Sequence, residues 1–113
     1  MKLKVTQQQA VTVVTLDGNL MGGPDAAILH SKLHQLVAEG KKYVVINMAH
    51  VKLMNSSGLG LLIGSVTTMK NAGGGLKLAN TPEKISSLIT ISKLEPVFER
   101  YDSVKAAVAS FKN

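Results

Sequence analysis

The chain alternates between two periodicities, and the switches between them limit its fold more than any other property. Tyr43 to Met48 is a short apolar run bounded by lysines and a polar stretch, the pattern of a strand buried on both faces. After a polar turn at Ser56-Ser57, the apolar residues Leu59, Leu62, Ile63, Val66 and Met69 recur at the period of a helix, which Asn71-Ala72-Gly73-Gly74-Gly75 stops. The same alternation holds on both sides. Lys2 to Gln7 and Ala10 to Asp17 read as strands, joined at Gln8-Gln9 into a hairpin. Gly22-Gly23-Pro24-Asp25 then opens a helix whose stripe is Ala26, Leu29, Leu33, Leu36 and Val37, ending at Gly40. Leu76 to Ala79 reads as a strand, and Pro82 starts a helix with Ile85, Leu88 and Ile89 inward. Val97 to Tyr101 reads as a last short strand, and Asp102 as the cap of a helix with the stripe Val104, Ala107, Val108 and Phe111. Strands interleaved with helices in this way predict an α/β fold, a mixed sheet of about four to five strands with right-handed crossovers, covered by about four helices.

Size and composition narrow the possible functions. A chain of 113 residues with 45% apolar content has enough for one core and too little for two, so residues 1–113 read as a single domain. The balance of 13 Lys+Arg against 7 Asp+Glu raises the question of nucleic acid. The charges are scattered, however, and 4% aromatic content leaves no alternation of basic and stacking residues, which argues against a nucleic-acid partner. With no cysteine there are no disulfides, thiolate nucleophiles or cysteine-based metal sites. No apolar run approaches the ~20 residues of a membrane helix, so the expectation is a cytoplasmic protein with no membrane partner.

Each chemical motif has a plainer reading beside it. Gly58, Gly60 and Gly64 resemble a dinucleotide fingerprint, but position 63 is Ile63 and no phosphate-loop lysine follows, so structural glycines fit better and no cofactor is expected. His30 and His34 lie four apart, a spacing that allows one metal; they flank the apolar stripe and no third ligand is near in sequence, so a surface pair is expected and no metal. His50 reads as a loop residue. A serine hydrolase at Ser56 or Ser57 would need a histidine and a carboxylate, and the Gly-x-Ser-x-Gly elbow is absent. A non-enzymatic role is therefore favoured over a serine-dependent enzyme. The plain reading of the serines is that one, Ser56, caps the helix. A serine at a helix start is also a favourable place for a phosphate, which would meet unpaired backbone N–H groups and the positive end of the helix dipole.

Asn55-Ser56-Ser57-Gly58-Leu59-Gly60-Leu61-Leu62 after a Val/Ile-rich strand, the glycine-rich break, and the ending from Leu94-Glu95-Pro96-Val97-Phe98 through Tyr101-Asp102-Ser103-Val104 together resemble a STAS domain of the anti-sigma factor antagonist type. The resemblance spans essentially the whole chain. It implies a bacterial regulator of transcription that binds an anti-sigma factor with serine-kinase activity, is switched off by phosphorylation of the second serine, Ser57, and is restored by a PP2C-type phosphatase. It implies a partner surface of Asn19, Met21, Asn55, Ser56, Ser57, Gly58, Leu59, Gly60 and Leu61. The alternative is a STAS subunit that is never phosphorylated and serves a transporter or a signalling complex. Three positions depart from the family pattern by replacing a carboxylate: Asn55, Asn47 and Met21. Lys93 stands where the family commonly has glycine after the third helix. Leu61, off the apolar stripe, together with Gly58 and Gly60, is expected to offer the partner a close-packing, partly apolar patch.

Overall fold

The structure, a computed structural model, describes residues 1–111. Among them, five strands form one mixed sheet in the order β1-β2-β3-β4-β5, with β1 (Lys2–Gln8), β2 (Val11–Leu20), β3 (Tyr43–Met54), β4 (Gly75–Ala79) and β5 (Arg100–Tyr101). β1 runs antiparallel to β2, and β2 through β5 are mutually parallel. The crossovers are α1 (Pro24–Ala38), α2 (Ser56–Asn71) and α3 (Glu83–Ile91), and α4 (Val104–Ala109) follows β5. This is the expected α/β class. None of the described helices is long and apolar enough to cross a membrane.

The two sheet faces are dressed differently because alternate strand residues point opposite ways. Val14, Leu16, Val44, Ile46, Met48 and Leu78 meet the buried stripes of the three crossover helices: Leu29, Leu33 and Leu36 of α1, Leu59, Leu62, Val66 and Met69 of α2, and Ile85 and Ile89 of α3. On the other face a smaller cluster joins Val11, Val13, Val45 and Ala79 to Ala107 and Val108 of α4. The register carries this through the sheet, with Val14 opposite Ile46 and Ile46 opposite Leu78 on one face, and Val13 opposite Val45 on the other. The buried hydroxyl of Thr12 is satisfied by donating to Gln7 Oε1 at 2.7 Å.

Several boundaries differ from expectation, each for a local reason. β2 runs to Leu20 and β3 to Met54, because the two keep pairing through Asn19 opposite Leu53 and Leu20 opposite Met54 despite two irregularities in register. His50 is therefore in a strand, not a loop. The hairpin turns one residue later than expected, with Gln9 in a left-handed conformation at φ 59°. The expected strand over Val97 to Tyr101 is reduced to a 3-10 turn at Glu95–Val97 and the two residues of β5. α4 is capped by Ser103, not Asp102: the Ser103 side chain accepts from the Ala106 N–H at 3.0 Å. Pro82 caps α3, and the helix begins at Glu83. Lys93 takes the left-handed conformation at φ 59°, and Leu94 N–H donates to Ile89 O across it, the arrangement that glycine usually serves at a helix end.

Candidate functional site

The site forms where β2 and β3 end side by side. Two loops leave this corner together, Met21-Gly22-Gly23 into α1 and the single residue Asn55 into α2. Their closeness is enforced by glycine. A Cβ on Gly58 would lie 1.9 Å from the Leu20 carbonyl oxygen, so only glycine lets the first turn of α2 rest on the end of β2. Gly22, at φ +86°, faces Ser57 in the same way, since a Cβ there would lie 2.7 Å from Ser57 Cβ. Gly60 and Gly64 have open space where a Cβ would stand, so close packing requires glycine at Gly58 and not at those two.

The helix start is organised by Asn55. Its Oδ1 accepts the Gly58 N–H at 2.8 Å, and its carbonyl accepts the Leu59 N–H at 2.9 Å. Asn55 is therefore the cap, correcting the expectation of Ser56: Ser56 and Ser57 are already the first two helical residues, and the cap oxygen must come from the residue before them. Asparagine and aspartate serve almost equally as caps, so the amide of Asn55 holds the helix start without adding a charge. Both serines are exposed, and no hydrogen bond from either hydroxyl is present among the described residues. The first turn of α2 holds no acidic residue, which leaves the positive end of the helix dipole unopposed beside Ser57.

Around this helix start the expected surface residues separate into layers. Asn19, Met21, Asn55, Ser56, Ser57 and Gly60 are exposed. Gly58 and Leu59 are buried, so they support the surface from below instead of forming it. Leu61 is half-buried: it packs against the main core and keeps part of its side chain at the surface. The more exposed large apolar side chains beside the helix start are Met21, 41% exposed, and Leu53, 47% exposed, the second of which the sequence pattern does not reveal. Leu53 lay hidden because the strand was expected to stop at Met48. Asn47 lies seven residues before Met54, roughly 23 Å of extended strand away, and is occupied otherwise. Its Oδ1 accepts from Asn80 Nδ2 at 3.1 Å and from the Ala49 N–H at 3.2 Å.

The other chemical candidates stand apart from the serines. His30 and His34 are exposed on α1 with their Nε2 atoms 2.9 Å apart, a surface pair as expected. No group of three or more histidine, cysteine or acidic side chains converges on a common point among the described residues. No hydrogen bond joins Ser56 or Ser57 to a histidine or carboxylate among those residues. A hollow of about 820 Å³ lies elsewhere on the sheet edge, at the ends of β4 and β5, lined by Asn80, Thr81, Ser86, Arg100 and Tyr101 among others.

Known proteins share the family pattern and the fold of this chain. The STAS domain family model matches residues 2–107. The anti-sigma-B factor antagonist of Bacillus subtilis (strain 168) is 34% identical over 74 residues, which cover 66% of this chain and 67% of that protein. The fold is similar to that of a Thermotoga maritima protein described as an anti-sigma factor antagonist, with a TM-score of 0.88 and 15% identity over 98% of this chain and 95% of the other. It is also similar to the Bacillus cell-fate determinant SpoIIAA in its phosphorylated form, with a TM-score of 0.72 and 19% identity over 96% and 99% of the two chains. With a sheet of this topology, a glycine-locked helix start at its second and third strands, and a family match across nearly its whole length, the chain belongs to the STAS-domain family.

Proposed function

We propose that this protein is an anti-sigma factor antagonist that binds a serine-kinase-type anti-sigma factor in the cytoplasm, with Ser57 as the residue whose phosphorylation ends binding and a PP2C-type phosphatase as the enzyme that restores it. The observation that carries this reading is the exposed Ser57 hydroxyl, with no hydrogen bond of its own among the described residues, at the second position of α2. Because Asn55 supplies the cap, neither serine hydroxyl is needed to hold the helix start. Support also comes from the curated relative, an anti-sigma-B factor antagonist, and from the phosphorylated state of a protein with this fold.

The switch acts through charge, not through unfolding. A phosphate on Ser57 adds about −1.5 to −2 charge at pH 7 and meets the free N–H groups of the first turn, so the helix itself tolerates it. The partner surface does not. A patch holding Met21, Asn19 and Gly60 that buries an unmatched phosphate loses several kcal/mol of desolvation, and 1.4 kcal/mol is already tenfold in affinity. Catalysis is supplied by the kinase; this chain contributes the acceptor and the docking surface.

The experiment is incubation of the wild type and Ser57→Ala with the purified anti-sigma factor kinase of the same organism and ATP, followed by intact mass and peptide mapping. One phosphate is expected on the peptide holding Ser57, and none on Ser57→Ala. An unmodified Ser57 in the presence of a demonstrably active kinase removes the switch and leaves the non-phosphorylated STAS subunit as the better reading.

A further inference from the structure

A groove of about 330 Å³ runs between the end of β3 and α3, beside the site described above. Its floor is apolar, from Met54, Ile85 and Leu88, and its rims carry Leu53 and Ile91. Two of these residues are conspicuous for their exposure: Ile91 is 78% exposed and Leu53 is 47% exposed. Leaving such side chains in water is a cost that a covering partner recovers. Lys84, Leu88 and Ile91 follow one another at spacings of four and three along α3, which sets them on one helix face. Lys52 and Lys84 also line the groove, both exposed, and neither has an ion-pair partner among the described residues. The acidic neighbour Glu83 is one residue before Lys84 and does not line it.

We infer that this groove is the second half of the partner surface and receives an acidic amphipathic helix of the anti-sigma factor, its apolar side chains between Leu53 and Ile91 and its carboxylates against Lys52 and Lys84. The inference rests on the antagonist reading above and adds where, and by what chemistry, the partner is held. Three observations select this occupant. The first is continuity: Leu53 and Met54, which line the groove, lead directly into Asn55, Ser56 and Ser57, so groove and serines are built on the same strand end. The second is charge, because the lysine rims ask for carboxylates. A second copy of this chain, with a net charge of +6, brings the wrong sign. The third is length. Lys84 to Ile91 advances roughly 10 Å along the helix axis, enough to match about two turns of a partner helix with apolar anchors at i and i+3 or i+4.

The test uses the full-length protein and the purified anti-sigma factor, with affinity measured for wild type, Ile91→Ser, Lys84→Glu, Lys70→Glu and Ser57→Asp. Ile91, Lys84 and Lys70 are exposed, so thermal unfolding serves as the check that each variant folds as the wild type does. The expected result is a loss of at least tenfold for Ile91→Ser and for Lys84→Glu. No change is expected for Lys70→Glu, an equal change in net charge at the far end of α2. The Lys84→Glu variant also loses most of the salt dependence that the wild type shows. Wild-type affinity in both groove variants overturns the inference, and if Ser57→Asp alone fails to bind, the switch stands without the groove. Loss in the groove variants with full binding by Ser57→Asp sustains the groove and removes the switch. Sedimentation supplies a further outcome: a wild-type dimer that Ile91→Ser dissociates assigns the groove to a second copy and overturns the inference.

Discussion

Two corners of the same sheet edge, only one strand apart, are built in opposite ways. At the ends of β2 and β3 the chain is packed so closely that Gly58 and Gly22 have no room for a single extra carbon. At the ends of β4 and β5 it leaves a hollow of about 820 Å³. The tight corner leaves its serine hydroxyls exposed, and the open corner buries an unpaired one, that of Thr81. The contrast shows what glycine accomplishes at the helix start: it fixes the backbone beneath Ser57 so that the hydroxyl is displayed on a rigid base. The open corner has no comparable contact, and Asn80, at φ 56°, turns the chain there in a conformation that asparagine tolerates.

The largest test of this contrast is Gly58→Ala. Its new methyl overlaps the Leu20 carbonyl, and we expect a loss of about 3 kcal/mol, since the clash is with backbone and not with the end of a flexible side chain. For a domain of this size that lowers the melting temperature by roughly 12 °C. Gly60→Ala, two residues further along the same helix, meets open space and is expected to be neutral or mildly stabilising. Equal melting temperatures for the two variants would break the comparison.

An intermediate effect belongs to the cap. Asn55→Ala removes the acceptor for the Gly58 N–H and is expected to cost about 1 kcal/mol, read as a shift in the denaturant midpoint at constant slope. Asn55→Asp restores the cap with a charge and is expected to keep the full stability. If Asn55→Asp were as destabilised as Asn55→Ala, the cap would owe its strength to something other than its oxygen. The smallest expected change is a gain. Thr81→Val replaces the buried, unpartnered hydroxyl with a methyl of the same shape and should raise stability by up to about 1 kcal/mol, seen as a higher melting temperature. A loss on this substitution would mean that the hydroxyl is satisfied in solution and that the open corner is less loosely built than it looks.

Much of this architecture is legible in the sequence, because helix stripes such as Leu29, Leu33 and Leu36 declare their own period. Met69 and Ile85 are placed by the same logic. What hides is whatever depends on a distant neighbour. The second half of β3, with exposed Ala49, His50 and Lys52, does not look like a strand by itself; it is one because β2 pairs with it across a whole crossover. The position of Ser57 at a helix start is readable, and so is the glycine beside it. The division of labour at the site is not, since capping by Asn55 depends on where the helix begins to within one residue. The exposure of Leu53 and Ile91, and the half-burial of Leu61, follow from how β3, α3 and α2 are set against the sheet. Local periodicity assigns a residue to a face; it does not say how completely the next element covers it.

The strands stand in the sheet in the same order as in the chain, and that carries a consequence for how the protein is made. The β1–β2 hairpin pairs adjacent residues, and each later strand lies beside the strand before it in the chain. No strand has to be inserted between two others already in place, and no loop has to be threaded. Each parallel pairing has to close only one crossover helix, which keeps the entropic cost of every step close to that of a single loop closure. The sheet is laid out as a queue, and its last member, the two residues of β5, is followed directly in the chain by α4.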